Sequence, residues 1–178
     1  MDKVEPGHAG AATPSRWSDP RISLYLNIAT YVVGGVGVGF GMYKIGDSVE
    51  ALHYAVPLMV GVPGILSFVR HSLFHSSDAI RMGHAIEAPF YIIELGIANG
   101  AMGLVALLAF FLNWGAGAEV AVTLSYALYL LCALAFVIYN RVREKELDAG
   151  PLARLALWGL WVGFMLYFAI AAAASANL

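Results

Sequence analysis

Charge is what this sequence has least of. Only 12% of its 178 residues are Asp, Glu, Lys or Arg, about half the share usual in a soluble domain. Ten basic residues stand against twelve acidic ones, a net charge of −2. No basic surface is therefore available for nucleic acid. There is a single cysteine, Cys132, inside an apolar run. That excludes an intrachain disulfide, a CxxC zinc site and a thioredoxin-type dithiol. The first 21 residues are polar and rich in Pro, Gly and Ser. They lack the apolar core of a signal peptide and read as a polar N-terminal arm. No Walker loop, GxSxG or properly spaced GxGxxG occurs, so nucleotide-driven and serine-hydrolase chemistry have no support. What the chain does have is apolar surface: 60% of residues are hydrophobic and the mean hydropathy is +0.73. This is the composition of an integral membrane protein.

Crossing a hydrocarbon core takes roughly 20 apolar residues of helix. Five runs qualify, at 22–42, 51–69, 89–112, 120–139 and 152–174. They are continuous rather than alternating, which argues for helices and against a β-barrel. Helices also satisfy the backbone where no water is present. The expected architecture is all-α: residues 22–178 form one five-helix membrane domain, a multi-pass protein of the cell membrane with the lipid bilayer as its surroundings. Lys44–Ser48, Asn113–Gly117 and Asp148–Pro151 carry the turn residues between spans. Nine of the ten Lys and Arg residues fall on the side of the N-terminal arm, and only Lys44 lies on the other. That asymmetry places the N-terminus in the cytoplasm and the C-terminus outside.

Glycine pairs four residues apart recur at Gly35/Gly39, Gly37/Gly41, Gly96/Gly100 and Gly159/Gly163. Small residues let helices approach closely in lipid, either within one bundle or between copies in a homo-oligomer. Pro57 and Pro63 predict a kink or a short unwound stretch in the second span.

Ionisable residues inside a membrane are costly and so point to function. The densest set runs from Arg70 to Asn99. If the second span continues as a helix past Arg70, then His71, His75 and Asp78 share a face at i, i+4 and i+7. Two imidazoles and a carboxylate could hold a divalent transition metal. A bis-histidine haem is disfavoured, because His53 lies near the far end of its span with no histidine at matching depth. Glu94 and Asn99 lie on the third span, with Tyr91 one turn before Glu94. Together with His84 and Glu87 these residues predict a polar pocket on the cytoplasmic side between spans two and three. Glu94 either forms an ion pair with Arg70, Arg81 or a loop histidine, or serves as a proton relay or substrate contact.

The stretch Gly64–Phe111 resembles a family of small bacterial and archaeal membrane proteins of unknown function, the DUF6790 family. Its pattern is a His followed by an aromatic, then an Asp, an Ile-Gly-Trp, a Pro-Phe-Gln, and a span opening Glu-x-Gly-x-Ala-Asn. His71, Phe74, Asp78, Gly83, Pro89, Phe90, Glu94, Gly96, Ala98 and Asn99 fill those places. His84 stands in place of Trp and Tyr91 in place of Gln. The resemblance brings no activity, cofactor or catalytic residue with it. The functional expectation is a transport or channel-like protein. The alternatives are a membrane-embedded metal or redox centre at His71, His75 and Asp78, and an accessory or assembly subunit.

Overall fold

The computed structural model describes residues 16–82, 90–144 and 149–178. Among the described residues every regular element is helical. Helix α1 (Pro20–Tyr43) starts two residues before the apolar run that begins at residue 22. Pro20 occupies a first-turn position, and the Asp19 carboxylate accepts from the Arg21 N–H at 2.9 Å. After the turn at Lys44, Asp47 caps α2 (Ser48–Val56), accepting from the N–H groups of Val49 and Glu50 at 3.1 and 3.0 Å. A π-helical turn (Pro57–Gly61), α3 (Val62–Phe68) and a second π turn (Val69–Leu73) continue the same rod. The rod ends at Phe74 (φ −109°, ψ 31°) and gives way to the short α4 (His75–Met82). Helix α5 (Phe90–Phe111) is followed by a tight turn with Asn113 and Gly115 at φ 52° and 88°. Then come α6 (Ala116–Glu144) and α7 (Ala149–Ala176).

Five helices are long and apolar enough to cross a membrane: Pro20–Tyr43, Ser48–Leu73, Phe90–Phe111, Ala116–Arg143 and Leu152–Ala176. These five spans match the five expected runs. The second differs in detail. Its prolines do not unwind it. Instead the helix widens into a π turn from Pro57, which accommodates the missing N–H and the bulk of the proline ring.

The second span is the centre of the bundle, touching α1, α5, α6 and α7. It meets α5 backbone to backbone. A Cβ on Gly64 would lie 2.6 Å from the Asn99 carbonyl oxygen and 2.7 Å from the Gly103 Cα. Gly96 and Gly100 take up Ser72 and Phe68 of the second span, while Gly37 and Gly41 of α1 take up Leu58–Met59 and Phe168. These glycine pairs work within the chain. Gly35, Gly39 and Gly163 face open space instead.

The large apolar side chains of α1, among them Tyr25, Val32 and Phe40, are exposed on the outside of the bundle. The interior, in contrast, encloses Ser23, Ser67, His71, Asp78, Asn99, Glu119 and Thr123. Apolar outside and polar groups within is the distribution of a protein whose solvent is lipid.

Candidate functional site

The inner polar groups form two His–carboxylate centres at the ends of the second span, with a polar cluster between them. The first centre lies at the end of the bundle rich in arginine. Residue 78 is fully enclosed by α1, α4 and the second π turn. Asp78 Oδ1 accepts from Arg81 Nη2 at 2.8 Å and from the Ser23 hydroxyl, and Arg70 Nε stands 3.8 Å away. His71 Nδ1 lies 2.6 Å from Asp78 Oδ2, off the line of a straight N–H···O bond. The other ring nitrogen of His71 is 2.7 Å from Arg70 Nη2. A guanidinium can only donate, so this nitrogen accepts and the ring proton stands on Nδ1, facing Asp78. Arg70 also donates to the Asn27 side chain of α1. The Ser77 hydroxyl donates to the Asp19 carbonyl at 2.6 Å and accepts from the Ser23 N–H at 3.1 Å, tying α4 to the start of α1.

Burial by itself would push the Asp78 carboxyl up. The His71 contact, the Arg70 guanidinium and the Ser23 hydroxyl outweigh it and hold the group well below the usual carboxylate range. Asp78 is therefore the anion that compensates two buried guanidinium groups.

The second centre lies at the opposite end. His53 Nδ1 is 2.6 Å from Glu119 Oε1, and Glu119 is 1% exposed although it belongs to the first turn of α6. An open cavity of about 390 Å³ adjoins the pair, lined also by Asp47, Glu50 and Asn113. Lys44 forms a 2.9 Å ion pair with Glu50, one of the lining residues. Eighteen residues separate His53 from His71, about 27 Å of helix at 1.5 Å per residue. That is close to the thickness of a hydrocarbon core, about 30 Å.

Between the two centres lies Asn99, packed against Gly64 and so near mid-depth. Its amide donates to the Leu95 carbonyl at 2.7 Å and to the Tyr129 hydroxyl at 3.2 Å, and its oxygen accepts from Tyr126 at 2.8 Å. Helix α6 joins this cluster to the second centre. Glu119, Thr123 and Tyr126 fall at i, i+4 and i+7, share one face, and are all enclosed. The Thr123 hydroxyl has no hydrogen-bond partner among the described residues. On the other side, Ser67 faces the Tyr126 hydroxyl, and Tyr126 lies within electrostatic reach of Arg70.

The structure brings His71 and Asp78 together but not His75, whose Nδ1 is 3.1 Å from the Ser72 carbonyl oxygen. The π turn and the break at Phe74 shift the register that a continuous α-helix would keep. The remaining His71 lone pair is taken by Arg70, so these residues do not fit a metal. Among the described residues no three His, Cys, Asp or Glu side chains are placed to hold one.

Nor do Glu94, Tyr91 and Asn99 converge. Five residues of α-helix turn the chain by about 140° beyond a full circle. Glu94 and Tyr91 consequently face outward while Asn99 is enclosed. The arginines expected near Glu94 are engaged by Asp78. His84 and Glu87 lie outside the described residues. The sequence reading missed Ser23, Asn27, Glu119, Thr123, Tyr126 and Tyr129. The helical spacing of Glu119, Thr123 and Tyr126 was the available signal, obscured because Glu119 opens a span and reads as interfacial.

A family model described as a family of unknown function (DUF6790) matches residues 44–177. The chain belongs to this family. The matched part of this DUF6790 member holds both His–carboxylate pairs and the Asn99 cluster, whereas Ser23 and Asn27 come from α1, before the match begins. No curated protein and no solved structure matches the chain.

Proposed function

We propose that this DUF6790 member is a channel-like transport protein that passes protons across the cell membrane along the buried polar line. The carrying observation is the line itself. A titratable His–carboxylate pair stands at each end of the central span, about one hydrocarbon thickness apart. Hydroxyl and amide groups lie between them, one of them, Thr123, with no hydrogen-bond partner among the described residues. Intramembrane acids and histidines in such chains are the usual parts of proton relays. Protons enter at the open Glu119–His53 cavity, pass the Thr123, Tyr126 and Asn99 groups, and leave past His71, with Asp78 as the fixed anion beside it. The glutamate at the mouth accepts and releases the proton, whereas a Gln there keeps the hydrogen bond to His53 but cannot titrate.

Purified protein in liposomes under an imposed pH gradient, with potassium and valinomycin to balance charge, tests this. A pH-sensitive dye inside should report collapse of the gradient by the native chain. Glu119→Gln should slow it at least tenfold while leaving the melting temperature unchanged. Native liposomes that hold the gradient as long as protein-free ones would refute the reading.

In this reading the arginine-rich end faces the cytoplasm, as the distribution of Lys and Arg implies. A phosphatase reporter fused after Leu178, active only outside the cytoplasm, should therefore be active, and a fluorescent protein that folds only in the cytoplasm should be dark there. The reverse pattern would invert the orientation and with it the direction of entry.

A further inference from the structure

We infer, on the proton-path reading, that Arg70 and Asn27 form a latch at its inner end, which keeps His71 from taking a proton until the Arg70 guanidinium moves across to Asp78. As it stands, His71 has no nitrogen free to accept. Its Nε2 lone pair faces Arg70 Nη2 at 2.7 Å, and its Nδ1 holds the ring proton toward Asp78. A second bond, from Arg70 Nη1 to the Asn27 side-chain oxygen of α1, fixes the guanidinium in that place. Arg70 and His71 both belong to the second π turn, a helical form found mostly as single turns at functional sites. The two ends of the path differ accordingly. His53 is 32% exposed and opens on a cavity, whereas His71 is 8% exposed.

The hydrogen bonding around His71 is incomplete in one place. Arg70 Nε is enclosed without a partner and stands 3.8 Å from Asp78 Oδ1. Asp78 Oδ2 is enclosed and accepts no hydrogen bond among the described residues. A spare donor and a spare acceptor thus adjoin each other, where buried polar groups are normally paired. A movement of about 1 Å brings the guanidinium within the 2.7–2.9 Å of a charge-assisted bond to the carboxylate. Asp78 lies at the Nδ1 edge of the imidazole and Arg70 Nη2 at the Nε2 edge, so the same movement draws Nη2 off Nε2. The freed Nε2 takes a proton from the Tyr126 and Asn99 side, and the imidazolium stands beside the Asp78 carboxylate. Loss of one ring proton to water on the cytoplasmic side restores the neutral ring. One proton goes on and one comes off, and no other reactant is required.

Two changes at Asn27 test the latch in the liposome assay. Asn27→Ala removes the bond that fixes Arg70 and should speed collapse of the pH gradient at least fivefold. Asn27→Asp gives Arg70 a charged partner on α1 and should slow it at least fivefold. Loosened packing alone does not move the rate in opposite directions at one position. Asn27→Ala combined with Glu119→Gln should be as slow as Glu119→Gln alone, which separates faster passage from a leak. Nitrogen-15 NMR of histidine-labelled protein reads the latch without flux. At about pH 6, just below the ordinary histidine value, His71 should be neutral with its proton on Nδ1 in the native chain and doubly protonated in Asn27→Ala. Its signal is the one that His71→Gln removes. Native liposomes that hold the gradient would refute the path and this role with it. Native flux that neither Asn27 variant changes, or a doubly protonated His71 in the native chain at that pH, would overturn the latch alone.

Discussion

Replacing Asp78 with alanine is expected to destabilise the protein by about 3–5 kcal/mol, the range for breaking a buried ion pair from one side. The change strands two guanidinium groups and one imidazole around an apolar methyl. Arg70 is hemmed in by Asn27 and His71 and cannot swing to water, whereas Arg81, 19% exposed, can do so in part. Thermal melts in detergent should show the loss. A second change, Arg70→Met, which removes the most enclosed cation, should recover a good part of it. Such recovery is expected because a buried pair replaced by apolar groups often costs little.

The pH dependence carries an independent signature. Asp78 titrates lower in the folded chain than in the unfolded one. Its stabilisation is therefore complete above the unfolded pKa, about 3.9, and declines as pH falls below it toward the folded value. Asp78→Asn should melt well below the native protein at pH 7. The gap between the two should narrow as the pH is taken below about 4. A gap independent of pH would show that the carboxylate charge is not what holds α1, α4 and the central span together.

The second large effect is expected at Gly64. An alanine there would place its Cβ 2.6 Å from the Asn99 carbonyl oxygen and 2.7 Å from the Gly103 Cα. Both are backbone atoms of α5, so neither a rotamer change nor a flexible side-chain end can relieve the clash. The two spans must separate. Overpacking a tight core usually costs about 1–3 kcal/mol, and this contact belongs at the upper end because whole helices must move. Separation would also pull Asn99 from Tyr126 and Tyr129, so Gly64→Ala should lose proton flux along with stability. Gly35→Ala and Gly39→Ala are the matched controls. A Cβ on either meets nothing within 4 Å, and melting temperatures within a degree or two of the native chain are expected. Equal effects at Gly64 and Gly35 would mean that backbone contact between spans two and three is not what sets the spacing.

The sequence by itself determined the class of molecule, the number of spans and most of their limits. Hydrophobic run length is a local property, and a membrane demands it of each span separately. The turns at Lys44–Ser48 and Asn113–Gly117 were legible for the same reason. Tertiary structure alone decided which polar residues meet. Asp78 finds Ser23 across 55 positions of chain, and His53 finds Glu119 across 66. No local pattern encodes such pairings. Glu94 and Asn99 sit five residues apart and look like one site when read along the chain. Helical rotation turns one to the outside and the other to Tyr126. His71 and His75 look like a metal-binding pair until a π turn changes the register between them. The second span tolerates these irregularities because glycine contacts and buried hydrogen bonds from its neighbours fix it on several sides. Those contacts, set by packing rather than by any one segment's composition, put a carboxylate beside a histidine at both ends of the membrane.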